Sequence, residues 1–159
     1  MRARSENEGS SCRALFPDAK LIFSEAIPSA TEAVEPVVAR MMCALGDCDC
    51  TDGQSNAVEL ALREALANAI LHGNKGNRRK KVEVDCFRQS DESILVVVRD
   101  QGRGFDPTTL DDPTKPENVY RAGGRGIFLI RHFMDDVEFE RGGSEIRMRK
   151  NRVPAEQQQ

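Results

Sequence analysis

The stretch that most constrains the fold is "QSNAVELALREALANAILHGN", residues 54–74. It predicts a long helix that ends at Gly73 and carries apolar side chains on nearly every side. A helix of this kind has to be covered by other elements, because an apolar surface exposed all round is unfavourable in water. The 159 residues are enough for one domain with a core that can cover it.

The flanking segments predict two more helices and five strands. In the helix predicted over 28–46, Ser29 or Thr31 is the candidate N-cap and Gly46 the stop. The order is β-α-α-β-β-α-β-β, with strands at 19–27, 80–88, 92–100, 137–141 and 144–150 and a third helix at 124–136. This order predicts a two-layer α/β sandwich with the helices on one face of a mixed, mostly antiparallel sheet.

Composition and charge exclude several classes of partner. The chain is 39% hydrophobic and 31% charged, with a formal net charge of −3, which is typical of a globular protein without a basic field for nucleic acid or anionic lipid. It contains no apolar run of about 20 residues, and its start lacks the apolar core of a signal peptide. We therefore expect a cytoplasmic domain over 19–151, with a flexible tail at 1–18 and a disordered tail at 152–159.

Cysteines are the first candidate metal ligands. Three of the five, Cys43, Cys48 and Cys50, lie within eight residues in "CALGDCDC". Their spacing is not C-x-x-C, and no second pair of ligands follows, so incidental or buried thiols are favoured over a zinc or iron–sulfur site. An odd number of cysteines in a cytoplasmic chain also argues against a disulfide framework.

Two polar residues interrupt the apolar helix. Glu64 and Asn68 are four residues apart and therefore lie on the same side. If they are solvated, this side of the helix is simply half exposed. If they face a pocket, the Asn68 amide oxygen is a suitable Mg²⁺ ligand and the Glu64 carboxylate a suitable base for an attacking hydroxyl. His72 extends the same side, where a local hydrogen bond is favoured over catalysis.

A second candidate lies in "RDQGRGFDP", residues 99–107, directly after an apolar strand. Asp100 is an acceptor suited to an exocyclic amino group such as that of adenine. Gly102 and Gly104 lack side chains, so a flat ring can lie against the backbone there. A glycine-rich turn capped by the aspartate explains the same residues without a ligand.

The third candidate is "AGGRGIFLI", residues 122–130, where Gly123, Gly124 and Gly126 lead into a helix. Exposed N–H groups at a helix N-terminus bind phosphate, and Arg125 adds positive charge. A flexible loop before an amphipathic helix is the alternative. The long Gly-, Pro- and Asp-rich stretch 101–123 is typical of a functional lid. Taken in order, the three candidates indicate a nucleotide site.

The same segments resemble a known family. "EALANAILHGN" is similar to the N-box, "DQGRGFDP" to the G1 box and "GGRGIFLI" to the G2 box of the GHKL ATPases, a superfamily that includes gyrase, Hsp90, histidine kinases and MutL. The resemblance covers roughly residues 20–150. It implies a Bergerat-type ATP-binding fold. Within the superfamily the chain most resembles the bacterial anti-sigma factor/serine-protein kinases of partner-switching systems.

This resemblance implies ATP and Mg²⁺ as cofactors and a role for each matching residue. Glu64 matches the general base, Asn68 the Mg²⁺ ligand, and Asp100 the residue that binds the adenine amino group. The other positions that match are the G1 glycines Gly102 and Gly104, the lid arginine Arg121, Gly124 and Gly126 of the lid and phosphate site, and Ser144, which stands in "GGSEI" where the family often has threonine. Gly123 and Arg125 remain candidate nucleotide-binding residues from the helix start described above.

The implied activity is ATP-dependent phosphorylation of a serine on a STAS-type anti-sigma factor antagonist, coupled to inhibition of a sigma factor. The resemblance also implies a homodimer formed through the first strand and helix region. The alternative is an ATP-binding anti-sigma or switch module with little or no kinase activity. A sensor histidine kinase is disfavoured because no separate segment with a phosphoacceptor histidine is present, and gyrase-like or MutL-like ATPases need additional domains.

Overall fold

A computed structural model describes residues 16–47, 55–106 and 125–153 of the protein. Within these ranges the elements follow in the predicted order β-α-α-β-β-α-β-β. The strands are β1 (Lys20–Pro28), β2 (Lys81–Arg88), β3 (Ile94–Arg99), β4 (Asp136–Glu140) and β5 (Glu145–Lys150), and the helices are α1 (Val34–Asp47), α2 (Ser55–Asn68) and α3 (Arg125–Phe133).

Helix ends differ from the predicted ones in three places. A short 3₁₀ turn, Thr31–Ala33, precedes α1, and its N-cap position is Ala30, which makes no side-chain cap bond. The predicted caps Ser29 and Thr31 were therefore wrong: Ser29 is buried, with its backbone N–H donating to Lys80 O at 3.0 Å. α1 also continues through Gly46, and α3 ends three residues early because Asp135 N donates to Arg149 O and leads the chain into β4.

All five described strands belong to one sheet, in the order β1-β2-β3-β5-β4. Every described pair in this sheet is antiparallel, so the prediction of a mixed sheet is corrected to a purely antiparallel one. Two of the four pairs follow from the connections: β2 and β3, and likewise β4 and β5, are joined by short turns, which antiparallel neighbours allow and parallel neighbours do not. The pairs β1–β2 and β3–β5 are joined through connections that contain helices, so tertiary packing sets their direction.

The main core lies between one face of the sheet and the helices, as the two-layer prediction requires. Directly opposed pairs such as Val84 with Val98, and Val98 with Ile146, form the sheet side of this core. Against them α2 buries Val58, Ala61, Leu62, Ala65 and Leu66. α2 is not covered on every side, however: Leu60 is 43% exposed, and the half-buried Glu64 and Asn68 lie on the helix face that α3 approaches.

The opposite face of the sheet combines a small apolar cluster with buried charges. Phe87, Leu95 and Val97 pack there against Phe16, whose ring centroid lies 6.0 Å from that of Phe87. Beside them, Glu145 is only 1% exposed and Arg99 only 6%. We call the side chains of Arg99, Asp85, Glu145 and Arg147 the outer-face ion network.

The structure describes only part of the cysteine cluster that was considered as a metal site. Cys43 is exposed on α1, and Cys48 and Cys50 lie outside the described ranges. Among the described residues, no group of three or more cysteine, histidine or acidic side chains is arranged to hold a metal ion. Nor does any helix in these ranges have the length and apolar character needed to span a membrane.

Candidate active site

The first part of the site forms where α3 begins against α2. Glu64 and Asn68 are one helical turn apart and half-buried. A methyl group built on Gly126 would lie 3.0 Å from Glu64 Oε2 and 3.1 Å from both the amide nitrogen and the amide oxygen of Asn68. The backbone at the start of α3 therefore approaches the carboxylate and the amide together, and a side chain at residue 126 would crowd both.

The Asn68 amide has an unused donor in this position. Its Nδ2 is buried and has no hydrogen-bond partner within the described part of the protein. A buried polar group without a partner costs free energy, about 1–3 kcal/mol, so such groups are rare unless a ligand completes them. The amide nitrogen therefore has the property expected of a group that donates a hydrogen bond to a bound ligand.

Beyond Asn68 the helix widens into a π turn, Ala69–Gly73. Its backbone closes through Asn74 N, which donates to Ala69 O at 2.8 Å. π turns within helices are rare and occur frequently at functional sites. Here the turn carries Gly73 against Asp100 at the end of β3, whereas His72 in the same turn is exposed.

Asp100 forms the second part of the site. Its backbone N–H donates to Ser144 O at 2.9 Å, and its Oδ1 accepts from Gly102 N at 2.7 Å. Gly73 lies directly behind the carboxylate, since a methyl group there would overlap it, and Gly102 is equally close to Gly73 O. Residues 73, 102 and 144, on three main-chain segments, thus surround residue 100, and positions 73 and 102 have to be glycine.

Burial changes the acidity of this carboxylate. Desolvation raises the pKa of Asp100 above its ordinary value, although the Gly102 N–H and the charge of Lys80 act in the opposite direction. An aspartate held in partly dry surroundings is a stronger hydrogen-bond acceptor when ionised than one in bulk water. It is therefore suited to accept a hydrogen bond from a neutral N–H donor such as an exocyclic amino group.

The turn between β4 and β5 packs against the segment that follows Asp100. Gly104, with φ +76°, lies against Gly142 O, and Gly143, with φ +96°, lies against the backbone of Phe105. Positive φ and backbone this close both require glycine. Ser144, in the same hairpin, donates its hydroxyl to Arg141 O at 2.9 Å. The Ser144 carbonyl oxygen accepts the hydrogen bond from Asp100 N. The nucleotide contact of the Ser144 hydroxyl stays a prediction.

The structure brings most of the described candidate residues together at the end of the sheet where β3 ends and β5 begins. Glu64, Asn68 and Gly126 form one group, and Asp100, Gly102 and Ser144 form the other, with the π turn between them. Arg125 is exposed at the start of α3. The remaining candidates, Arg121, Gly123 and Gly124, lie outside the described residues.

Sequence reasoning missed two residues of this site. It treated Gly73 only as the helix stop and Asn74 only as part of the following loop. A glycine followed by asparagine is an ordinary signal for a helix end, so local sequence does not reveal that either residue faces Asp100 and its neighbour.

Comparison with known proteins assigns the family. Residues 27–150 match the family described as the histidine kinase-like ATPase domain, and these residues include both parts of the site. The chain belongs to this family. The family was expected from the three boxes, and the expectation is confirmed.

Several proteins are similar to this histidine kinase-like ATPase domain. The serine-protein kinase RsbW of Staphylococcus epidermidis is 35% identical over 99 residues, which are 58% of this chain and 62% of that protein. Its counterpart in Staphylococcus aureus strain JH9 is 28% identical over 131 residues, or 78% of this chain and 82% of that protein. The histidine kinase domain of an Erythrobacter litoralis blue-light activated kinase matches with a TM-score of 0.49, 20% identity, and coverage of 79% and 62% of the two chains.

Gly73→Ala tests the confinement of Asp100 in this ATPase domain. The added methyl group would overlap the carboxylate, so the Asp100 side chain has to move. The resemblance implies that Asp100 accepts a hydrogen bond from the adenine amino group, and a displaced acceptor would lose a charge-assisted bond of about 1.5–3 kcal/mol. We therefore expect ATP affinity, measured by calorimetry, to fall by about tenfold or more. Gly46→Ala is the control, because nothing lies within 4 Å of the added methyl group there and helix propensity favours alanine. Unchanged ATP affinity in Gly73→Ala would show that the carboxylate does not contact the nucleotide.

Proposed function

We propose that this protein is an ATP-dependent serine-protein kinase that also acts as an anti-sigma factor. The observation that carries the proposal is the approach of Gly126 to both Glu64 and Asn68. The start of α3 therefore lies against a carboxylate and an amide. Helix N-termini commonly bind phosphate, so this arrangement supports transfer of a terminal phosphoryl group. The similarity to proteins named serine-protein kinase RsbW supports protein serine as the acceptor.

The residues of the site fit ATP and Mg²⁺. Asn68 Nδ2 has no hydrogen-bond partner among the described residues and can donate to a phosphate oxygen, and Gly126 adds no side chain to crowd it. The amide oxygen of Asn68 is a suitable Mg²⁺ ligand, and Asp100 has acceptor capacity for the adenine amino group. When bound at Asn68, Mg²⁺ would supply positive charge that neutralises the phosphate oxygens. Asn68 is the residue that would hold the metal, and the first N–H groups of α3 would hold phosphate oxygens.

The reaction follows from these positions. The serine hydroxyl of the protein substrate attacks the γ-phosphorus of ATP, an O–P bond forms, and the bond to the β–γ bridging oxygen breaks to release ADP. Glu64 orients the hydroxyl and accepts its proton. Its surroundings on α2, Ala61 and Ala65, are buried and therefore hold the helix and the base in place.

The proposed partners are a STAS-type anti-sigma factor antagonist as substrate and a sigma factor as the bound target. We also propose a homodimer formed through β1 and α1. β1 supports this part of the proposal because it is the edge strand of the described sheet, and edge strands present backbone groups to a neighbouring chain. Light scattering of the purified protein measures the mass directly.

Kinase activity is tested by incubating the protein with γ-labelled ATP, Mg²⁺ and a purified STAS-domain protein encoded in the same genome. We expect label on one serine of the STAS protein. If the protein binds ATP but labels no STAS protein of that genome, it acts as an ATP-binding anti-sigma or switch module instead. If it binds no ATP, the proposal is wrong as a whole.

Asp100→Asn tests the nucleotide site by itself. The substitution preserves shape but replaces one acceptor oxygen by a donor, so we expect ATP affinity in calorimetry to fall about 10- to 100-fold. The matched control is Asp18→Asn, at an exposed position before β1. Loss of affinity in both variants, or in neither, would contradict the assignment of Asp100.

A further inference from the structure

A closed ring of three hydrogen bonds lies beside Asp100. Asn74 Nδ2 donates to Lys81 O at 3.0 Å, Lys81 N donates to Gln101 Oε1 at 2.8 Å, and Gln101 N donates back to Asn74 Oδ1 at 2.8 Å. The ring joins the end of the π turn, the start of β2 and the residue that follows Asp100. Asn74 is the only side chain in it that contributes both a donor and an acceptor.

Asn74 is built into the protein rather than solvated. It is 1% exposed, and its backbone N–H closes the π turn on Ala69 O at 2.8 Å. Its side-chain oxygen fixes the N–H of Gln101, which is the peptide group formed with the Asp100 carbonyl. The orientation of this peptide restrains the main chain from which the Asp100 side chain extends, because residue 100 is then held on one side by Ser144 O and on the other by Asn74.

We propose that Asn74 is a positioning residue that sets the preference of the site for adenine. This inference rests on the proposed function, since it assumes that Asp100 binds the adenine amino group. Asn74 touches neither the base nor the phosphates. It holds the Gln101 peptide, and through it the Asp100 carboxylate, at the place where the amino group has to donate its hydrogen bond.

The proposal predicts a change in the selectivity for adenine, which differs from a change in the affinity for every nucleotide. A residue that only stabilised the fold would weaken every nucleotide to the same extent. A residue that positions Asp100 affects ATP more than a triphosphate without the amino group, because only ATP uses the Asp100 acceptor. Substitutions of groups that orient a contacting residue commonly cost about 10- to 100-fold in affinity at metal sites, and we expect a similar order here.

The experiment compares binding of Mg·ATP and Mg·purine riboside triphosphate, which has hydrogen in place of the 6-amino group. In the wild type we expect ATP to bind about 10- to 100-fold more tightly. In Asn74→Ala we expect this ratio to fall about tenfold, while affinity for the purine analogue changes by less than about twofold. Thermal unfolding of each variant confirms that it is folded at the temperature of the measurement.

Three further variants sharpen the result. Asn74→Asp keeps an oxygen for Gln101 N and should retain more of the ATP preference than Asn74→Ala. Gln101→Ala changes an exposed side chain, removes the bond from Lys81 N, and should lower the preference in the same direction even if Asn74→Ala does not fold. Asn77→Ala is the control in the same loop, because the Asn77 side chain accepts only from Arg79 N among the described contacts.

The outcomes separate this inference from the proposed function. If the wild type prefers ATP and both Asn74→Ala and Gln101→Ala keep the full preference, Asn74 does not position Asp100, and the proposed function still stands. An equal loss for both nucleotides in Asn74→Ala would also overturn the inference, since it indicates a purely structural role. If the wild type binds neither nucleotide, the proposed function fails first.

Discussion

Glu64→Gln is expected to slow phosphoryl transfer to the proposed STAS substrate by about 10²- to 10⁴-fold, the range typical of general base catalysis. Glutamine preserves the size of the side chain and its position against Gly126 but does not accept the serine proton at neutral pH. ATP affinity should change by less than about threefold, because the role proposed for the carboxylate is on the attacking hydroxyl and not on the nucleotide. Single-turnover transfer of labelled phosphate and calorimetry measure the two quantities separately.

Glu59→Gln is the matched control for this substitution. Glu59 lies on the same helix but pairs with Arg63 at 2.7 Å. Removing a partly exposed pair of this kind costs about 0.2–1 kcal/mol of stability and should leave transfer unchanged. Transfer by Glu64→Gln at the wild-type rate would show that another group accepts the proton, or that proton removal does not limit the reaction.

Glu145→Ala is expected to lower the free energy of unfolding by about 3 kcal/mol. Glu145 is 1% exposed at the start of β5 and accepts hydrogen bonds from Arg99 Nε at 2.5 Å and Arg147 Nε at 2.7 Å. Without Glu145, the buried Arg99 loses its nearest partner. The expected cost lies at the lower end of the range for breaking a buried pair because Arg99 keeps Asp85 at 2.8 Å.

The measurement is urea unfolding at neutral pH, with Glu140→Ala as the control. Glu140 is 3.9 Å from Arg147 and its side chain is 47% exposed, so its loss should cost less than about 1 kcal/mol. Equal effects of the two substitutions would show that burial does not strengthen the outer-face ion network.

The contribution of Glu145 should also depend on pH with a defined sign. Burial by itself raises the pKa of Glu145, but the hydrogen bonds from Arg99 and Arg147 outweigh it and hold the pKa below the ordinary value of 4.5. A lowered pKa in the folded state means that the stabilisation is complete above pH 4.5 and is lost as the pH falls further. The difference between wild type and Glu145→Gln should therefore shrink on acidification below that pH.

Much of the fold was predictable because its signals are local. Alternating or continuous apolar residues marked all five strands and three helices, and the Gly142–Gly143 pair marked the last hairpin. The errors lay at helix ends and in the sheet. Neither Ser29 nor Thr31 is the cap, because a 3₁₀ turn that begins at Thr31 takes Ala30 as its N-cap. The Ser29 backbone N–H bonds Lys80 O, a contact between two distant segments.

The candidate site, like the fold, was predictable where the signal was local and unpredictable where it depended on contacts between distant segments. Glu64 and Asn68 were placed on one side of a helix by their spacing alone, and the match over residues 27–150 confirmed the family expected from the three boxes. The sequence did not indicate that Gly73 lies behind Asp100, or that Asn74 holds the Gln101 peptide across 27 residues of chain. Such contacts depend on how the π turn meets the end of β3.

Short segments of sequence specify the kinds of element, their order and the chemical groups offered for nucleotide binding, because period, turn residues and functional groups are local properties. Tertiary packing governs which of these groups meet. The packing of α3 on α2 and the strand register bring together distant residues. The resulting contacts are Gly126 with Glu64, Gly73 with Asp100, and Glu145 with Arg99. Those arrangements are set by the whole core, which no single segment encodes.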